Sequence, residues 1–274
     1  MANSFKQMAK DGVIKRPDGR MLIRLDDIHI IEGFNSRDYG SPECKEADEL
    51  LFQHLMSGGS VPALEVKALD SGGVWIVEGH RRYRCYKRCR DAGRPVDWIS
   101  IVQFKGNDIE AQAHVMKSNN QLALTPLEKA MNLKRMAAFN LTNAEIAAYV
   151  GMSVPTVEKL LALSQADHAV QLKVKNNEVS VDVAVSRIEK FGSRAAEILE
   201  EDKIKAASAG KKKVTRSVIA PEISLKKARR LVELIALAGV GENGVITLSG
   251  AVLDEVKEII KEQLMIESER RRAA

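Results

Sequence analysis

Residues 143–160 read NAEIAAYVGMSVPTVEKL, and this stretch predicts two short helices that are joined by a tight turn. Ala147 is small enough to lie where two helices cross, and Gly151 tolerates the positive φ angle that such a turn requires. Four apolar residues recur at the spacing that fills the wedge between the helices: Ile146, Val150, Val157 and Leu160. The pattern therefore predicts a helix-turn-helix motif over residues 142–163.

The second helix of the predicted motif has an outward face that suits DNA. When its apolar positions point inward, four side chains point toward the major groove of double-stranded DNA: Ser153, Pro155, Thr156 and Lys159. Thr142 and Asn143, at the start of the first helix, are predicted to contact a backbone phosphate. An ordinary helical hairpin in a bundle is the alternative interpretation. The agreement of the small, turn and apolar positions favours DNA binding.

The composition of the whole chain fits a helix-rich protein of more than one domain. The 274 residues are 45% hydrophobic, 29% charged and 4% aromatic, and the formal net charge is +5. Domains usually contain roughly 100–150 residues, so two or three domains are expected. Three cysteines are an odd number, which disfavours a disulfide framework, and no apolar run approaches the roughly 20 residues of a membrane span. We expect a cytoplasmic protein with no membrane association.

Hydrophobic periodicity divides the chain into five segments. Residues 1–20 are polar and are predicted to form a flexible arm. Strand and helix signals alternate over residues 21–107, which predicts an α+β domain, and residues 108–209 are predicted to form an all-α domain that contains the helix-turn-helix. A basic linker over residues 210–223 and a small α/β unit over residues 224–274 complete the chain. The protein is therefore expected to be mainly helical.

Within the α+β domain, a helix is predicted over residues 42–56, where Ser57, Gly58 and Gly59 end it. Residues 64–69 and 74–77 are predicted to pair as a hairpin. In the last unit, apolar stripes on two helices indicate either an internal core or a dimer interface. We expect a homodimer, because the recognition of two DNA half-sites normally uses a two-fold protein.

A short apolar strand runs into an unusually basic helix over residues 76–90, IVEGHRRYRCYKRCR. Its hinge is the tetrapeptide GHRR at residues 79–82. The backbone N–H groups at a helix N-terminus are unpaired and favour anions, and the adjacent arginines add positive charge. A solvated basic surface explains the same residues equally well. The residues alone leave both interpretations open.

The segment VEGHRRYRC at residues 77–85 resembles the signature of the ParB family, in which a Gly-x-Arg-Arg turn binds nucleotide phosphates. Three further segments agree in order. Residues 35–37, NSR, are similar to the family's Asn-Pro-Arg loop, with Ser36 in place of proline, and residues 59–66 are similar to the start of a family strand. Residues 118–130 are similar to its Glu-Asn-x-x-Arg and Leu-x-Pro-x-Glu-x-Ala segments. The resemblance covers about residues 22–192.

The resemblance implies a site-specific DNA-binding protein of plasmid, phage or chromosome partition. Its N-terminal domain would have the ParB/sulfiredoxin-like fold and act as a CTP-dependent clamp, with a ParA-type ATPase as a further partner. The nucleotide-binding positions carried over are Arg37, Gly79, His80, Arg81, Arg82 and Asn119, and Asn119 would also lie beside Mg²⁺. The alternatives are a helix-turn-helix transcriptional repressor without nucleotide gating, and a CTPase or nuclease.

Two positions depart from the family pattern. The metal-binding glutamate of the family is Ser118 in this chain, and the arginine that follows is Leu122. The loss of a carboxylate removes a hard oxygen ligand for Mg²⁺, so we expect CTP binding with weak or absent hydrolysis. The reactive cysteine of the related sulfiredoxin fold is matched here by Gly79, which disfavours a thiol reductase.

Overall fold

The computed structural model describes residues 3–118, 122–219, 224–236, 239–240, 246–248 and 250–273. The chain separates into two compact units, residues 1–175 and 176–274. This division falls inside the segment 108–209 that was predicted to be one domain. Helices make up 62% of the chain, and the first unit adds a mixed sheet of six strands, which confirms the predicted fold class.

The sheet of the first unit has the strand order β1-β2-β6-β4-β5-β3. The strands are β1 (Ile14–Lys15), β2 (Met21–Arg24), β3 (Ile28–His29), β4 (Leu64–Ala68), β5 (Val74–Glu78) and β6 (Trp98–Gln103). The pairs β1–β2, β2–β6 and β4–β5 are antiparallel, as the predicted hairpin requires. The pairs β3–β5 and β4–β6 are parallel. Alternate residues of the central strands are buried, including Leu64, Val66, Ile99 and Ile101.

Eight helices accompany the sheet within the described part of the first unit. They are α1 (Phe5–Lys10), α2 (Pro42–Met56), α3 (His80–Asp91), α4 (Asp108–Ser118), α5 (Pro126–Ala137), α6 (Asn143–Val150), α7 (Val154–Gln165) and α8 (His168–Lys175). Local signals start several of them. Thr125 forms a capping box with Glu128 at the start of α5, and Ser41 caps α2 ahead of a proline that suits the first helical position.

Residues 3–20 differ from the flexible arm that was predicted. Phe5 and Met8 lie on one side of α1, and both are buried in the main core with Ile14. Ile14 also pairs with Ile23 in the sheet. The side-chain amide of Asn3 donates to the carbonyl oxygens of Leu69 and Gly73 at the β4–β5 turn. Three well-spaced apolar residues are enough to bury this segment, although its overall composition is polar.

The second unit is built from helices and one small pair of strands. Its elements are α9 (Val181–Phe191), α10 (Ala195–Ser208), α11 (Arg216–Ile219), α12 (Leu225–Ala236), β7 (Gly239–Val240), β8 (Ile246–Thr247) and α13 (Gly250–Ala273). The buried carboxylate of Asp202 accepts two hydrogen bonds from Arg187, which ties α10 to α9. Leu234, Val256 and Ile259 form a small core between α12 and α13.

The described part of the predicted linker 210–223 does not run as an open connection. Val214 is fully buried, its N–H donates to the carbonyl of Glu178, and its carbonyl accepts from the N–H of Ser180. Among the described residues, no single helix is both long and apolar enough to cross a membrane. The pair α6 and α7 reaches that threshold only when two helices with a sharp bend between them are combined.

Candidate functional sites

The helix-turn-helix is built by α6 and α7, whose axes meet at 107°. A capping box between Thr142 and Glu145 starts α6, and Gly151 ends it with φ of +71°. That angle lies in the left-handed region, where a side chain is unfavourable. Ala147 is buried at the crossing. The geometry confirms the predicted motif and falls within the roughly 90–120° that is usual for it.

The start of α7 carries the outward face that was predicted to meet DNA. Val157 and Leu160 are buried, whereas the predicted DNA-binding residues of this helix are exposed: Ser153, Pro155, Thr156 and Lys159. The Ser153 and Thr156 hydroxyls lie 2.8 Å apart, so one donates to the other, and Ser153 also accepts from the N–H of Thr156. The cap thus holds two polar side chains together on the exposed face.

The start of α6 is already occupied by a carboxylate. The N–H and the hydroxyl of Thr142 both donate to Oε2 of Glu145, at 2.8 and 2.7 Å. These hydrogen bonds, the backbone one first, lower the pKa of Glu145. The phosphate contact predicted for Thr142 and Asn143 would have to form beside this negative charge. Only the Thr142-to-Glu145 spacing of three residues announces this in the sequence.

The N-terminus of α3 opens into a cleft of about 580 Å³ in the first unit. Gly79 lies at its base with φ of +107°, and no side chain caps the helix there. A Cβ atom at Gly79 would lie 2.5 Å from Cδ2 of Leu64, so both the backbone angle and the space require glycine. Five of the predicted nucleotide-binding residues line this one cleft: Arg37, Gly79, His80, Arg81 and Arg82. The sixth, Asn119, lies outside the described residues.

The three arginines of the cleft are each engaged by the protein itself. Nε of Arg81 donates to Oδ1 of Asp48 at 2.6 Å. Arg82 donates to the carbonyl oxygens of Pro62 and Ala63 at 2.6 and 2.7 Å, and it forms an ion pair with Glu78. Sequence reasoning found the arginines but missed these acidic partners. The four-residue spacing of Glu78 and Arg82 is the one local signal, because Asp48 comes from α2.

Arg37 connects the loop before α2 to the start of the helical region. Its guanidinium donates to the carbonyls of Leu122 and Ala123 at 2.5 and 3.1 Å, and it lies 3.7 Å from Oε2 of Glu128. Oε1 of Glu128 accepts from the N–H of Asp38 at 2.6 Å. One carboxylate therefore closes the capping box of α5 and also holds the cleft loop.

His80 is a buried, neutral side chain in the wall of the cleft. Burial lowers the pKa of His80 to about 4, and its ring stacks on Phe34 with centroids 6.1 Å apart. Nε2 of His80 and the hydroxyl of Ser118 have no hydrogen-bond partner among the described residues. Buried polar groups are nearly always satisfied, so these two atoms indicate that a polar ligand belongs in the cleft.

The metal position implied by the resemblance does not fit Mg²⁺. Ser118 supplies a neutral hydroxyl where a carboxylate is needed, and among the described residues no group of three or more His, Cys, Asp or Glu side chains is arranged around a metal. Two carboxylates that sequence reasoning did not single out, Glu65 and Glu78, line the same cleft. They stand directly opposite each other on β4 and β5.

No thiol takes part in the cleft. Cys44, Cys85 and Cys89 are unbridged and buried. Burial raises the pKa of Cys85 to about 11, which keeps it protonated at neutral pH. A reactive thiolate needs the opposite shift.

Comparisons with known proteins agree with these sites. Residues 122–190 match the ParB HTH domain. The chain is 29% identical over 157 residues to the probable chromosome-partitioning protein ParB of Vibrio cholerae serotype O1, covering 57% of this chain and 52% of the relative. It spans about half the length of the curated relatives it matches, with shares of 52%, 58% and 46%.

Two solved structures of C-terminally truncated chromosome-partitioning protein ParB from Caulobacter crescentus are similar at 21% identity. The complex with the centromeric parS site has a TM-score of 0.44 and covers 66% of this chain and 91% of that chain. The complex with CTP-gamma-S has a TM-score of 0.31 and covers 70% and 98%. The helix-turn-helix match and the curated relatives together place this chain in the ParB family.

Proposed function

We propose that this protein is a ParB-like partition protein that binds a specific site on double-stranded DNA. The supporting observation is the exposed face at the start of α7 within a segment that matches the ParB HTH domain. Its curated relatives are chromosome-partitioning proteins. A cytoplasmic location, association with nucleoid or plasmid DNA, and a ParA-type ATPase partner belong to the same proposal.

A randomised duplex library tests the DNA function, because the chain itself selects the sequence that it binds. The selected duplex is then titrated by fluorescence anisotropy. Thr156→Ala and Lys159→Ala are each expected to weaken binding by about 1–3 kcal/mol, the range for a lost specific contact. Lys10→Ala removes a lysine from the end of α1 and is the matched control. Equal binding by all four proteins would contradict the assignment of α7.

The second part of the proposal is that the cleft at α3 binds CTP. Three features support it: the uncapped helix N-terminus at Gly79, the three arginines, and the unpartnered Nε2 of His80. Calorimetric titration with CTP, UTP, ATP and GTP tests it, with and without the selected duplex. Selective CTP binding is expected. Intact DNA binding with no response to any nucleotide would instead favour the helix-turn-helix repressor.

The third part is a homodimer formed through the second unit. Exposed apolar side chains recur along the last two helices, at Val232, Ile260, Leu264 and Met265. Replacing Ile260 and Leu264 together with aspartate is expected to give a monomer in sedimentation equilibrium. Ile204→Asp, at an exposed apolar position on α10, is expected to remain dimeric. A double variant that still sediments as a dimer would count against this interface.

A further inference from the structure

The arginines of the cleft at α3 are outnumbered by the carboxylates around them. Each of the three lies against an acidic partner, Arg37 near Glu128, Arg81 with Asp48 and Arg82 with Glu78. A fourth carboxylate, Glu65, lines the same wall. A nucleoside triphosphate carries several negative charges of its own. Among the described residues, the cleft therefore offers no excess of positive side-chain charge to receive it.

Two of these carboxylates are placed to share a cation. Glu65 and Glu78 are directly paired across the antiparallel strands β4 and β5. Residues paired in this way have Cβ atoms about 4.5–5.5 Å apart, and like charges at that spacing repel each other. Their side chains are 35% and 24% exposed, so a solute in the cleft can reach them. At present Arg82 contacts Glu78, and Nε2 of His114 lies 3.1 Å from Glu65.

A separate observation indicates that a polar ligand enters this space. Nε2 of His80 has no hydrogen-bond partner among the described residues, although the side chain is only 5% exposed and lines the cleft. The missing carboxylate at position 118 leaves the metal of such a ligand without its expected protein oxygen.

We infer that the cleft takes its nucleotide only as the Mg²⁺ complex, and that Glu65 and Glu78 hold the metal in place of the carboxylate absent at Ser118. This inference rests on the proposed nucleotide binding. Mg²⁺ is commonly held in proteins by one or two carboxylates together with substrate phosphates and water, which is the donor set that this pair completes. The metal also supplies the positive charge that the paired arginines do not.

The test is a calorimetric titration of the full chain with CTP, in Mg²⁺ and in EDTA, for the unaltered protein and Glu65→Gln. The unaltered protein is expected to bind CTP much more tightly in Mg²⁺. Loss of a ligand oxygen should weaken the Mg²⁺ complex of Glu65→Gln by at least about tenfold, by comparison with the 10–100-fold cost of losing a metal's outer partners. In EDTA the same variant should bind CTP more tightly, because one negative charge has gone.

Three controls separate this result from a general disturbance of the fold. Glu43→Gln alters an exposed carboxylate on α2 and should change neither titration. Glu65→Asp keeps a carboxylate and should retain part of the Mg²⁺ dependence. With Mn²⁺ in place of Mg²⁺, the paramagnetic resonance signal of the free ion should fall when CTP and the unaltered chain are both present, and less so with Glu65→Gln.

Equal CTP affinity of the unaltered chain in Mg²⁺ and EDTA would overturn this inference alone. It would also be overturned if Glu65→Gln bound CTP more tightly in both conditions, because Glu65 would then only repel the nucleotide. If the unaltered chain bound no CTP in either condition, the proposed nucleotide function would fall together with this inference.

Discussion

Nε of Arg81 lies 2.6 Å from Oδ1 of Asp48, so an arginine predicted to bind phosphate is already paired with a carboxylate of α2. The side chains are 18% and 13% exposed, which places the pair away from bulk water. A phosphate that recruits Arg81 must therefore compete with Asp48. The cost of that exchange is part of the affinity of the cleft.

Asp48→Asn is expected to tighten CTP binding. The amide still accepts a hydrogen bond from Arg81 but no longer holds it by charge, and hydrogen bonds to charged groups contribute about 1.5–3 kcal/mol. We expect roughly tenfold higher affinity by calorimetry, with a loss of about 1–2 kcal/mol in the free energy of unfolding in urea. Glu49→Gln, which breaks the exposed pair with Arg88, should leave CTP affinity unchanged. Weaker CTP binding by Asp48→Asn would mean that Asp48 positions Arg81 for the ligand.

Gly79→Ala is expected to destabilise the protein and close the cleft. A Cβ atom there meets Leu64 at 2.5 Å and also takes φ of +107°. Gly93→Ala is the matched control, because Gly93 has φ of +86° with no atom near its Cβ position. Backbone strain alone costs about 1–3 kcal/mol, and overpacking adds about 1–3 kcal/mol for Gly79. Equal free energies of unfolding for the two variants would show that Leu64 moves aside.

CTP hydrolysis is expected to be slow or absent, even with the selected duplex present. Ser118 offers no carboxylate to the metal, and its hydroxyl has no partner among the described residues. Phosphate release from purified protein measures this directly. Ser118→Glu restores the family residue and should raise the rate if the fold accepts the larger side chain, which a thermal melt would check. A fast, DNA-stimulated rate in the unaltered chain would contradict the prediction.

The stability of the first unit is expected to fall as pH rises from about 9 to 11. Burial raises the pKa of Cys85 from 9.0 to about 11, so the folded protein keeps the thiol proton that the unfolded chain releases. Stability from this group is therefore complete below pH 9 and lost as pH rises, by about 3 kcal/mol for two pKa units. Urea unfolding in a reductant should show a shallower decline for Cys85→Ala. Parallel declines for the two proteins would refute the assignment.

Much of the local structure follows from short-range sequence signals. The helix predicted over residues 42–56 is α2 in the structure, because Ser41 caps it, Pro42 fits its first turn and glycines follow its end. The prediction of a flexible arm was wrong because average polarity hides the burial of Phe5 and Met8. In the cleft, the GHRR turn and the Asn-Ser-Arg loop were found from motif order, whereas Glu65 carries no motif that marks it.

The sequence by itself determined the helix-turn-helix and the strand-to-helix turn at Gly79. Both depend on residues within about four positions, where caps, glycine angles and apolar spacing act through the local backbone. Only the tertiary structure decided that Asp48 meets Arg81, that Glu128 meets Arg37 and that Glu65 faces Glu78. These contacts join distant parts of the chain. Packing of α2 and α5 and the strand register create them, and they set the charge that an incoming nucleotide encounters.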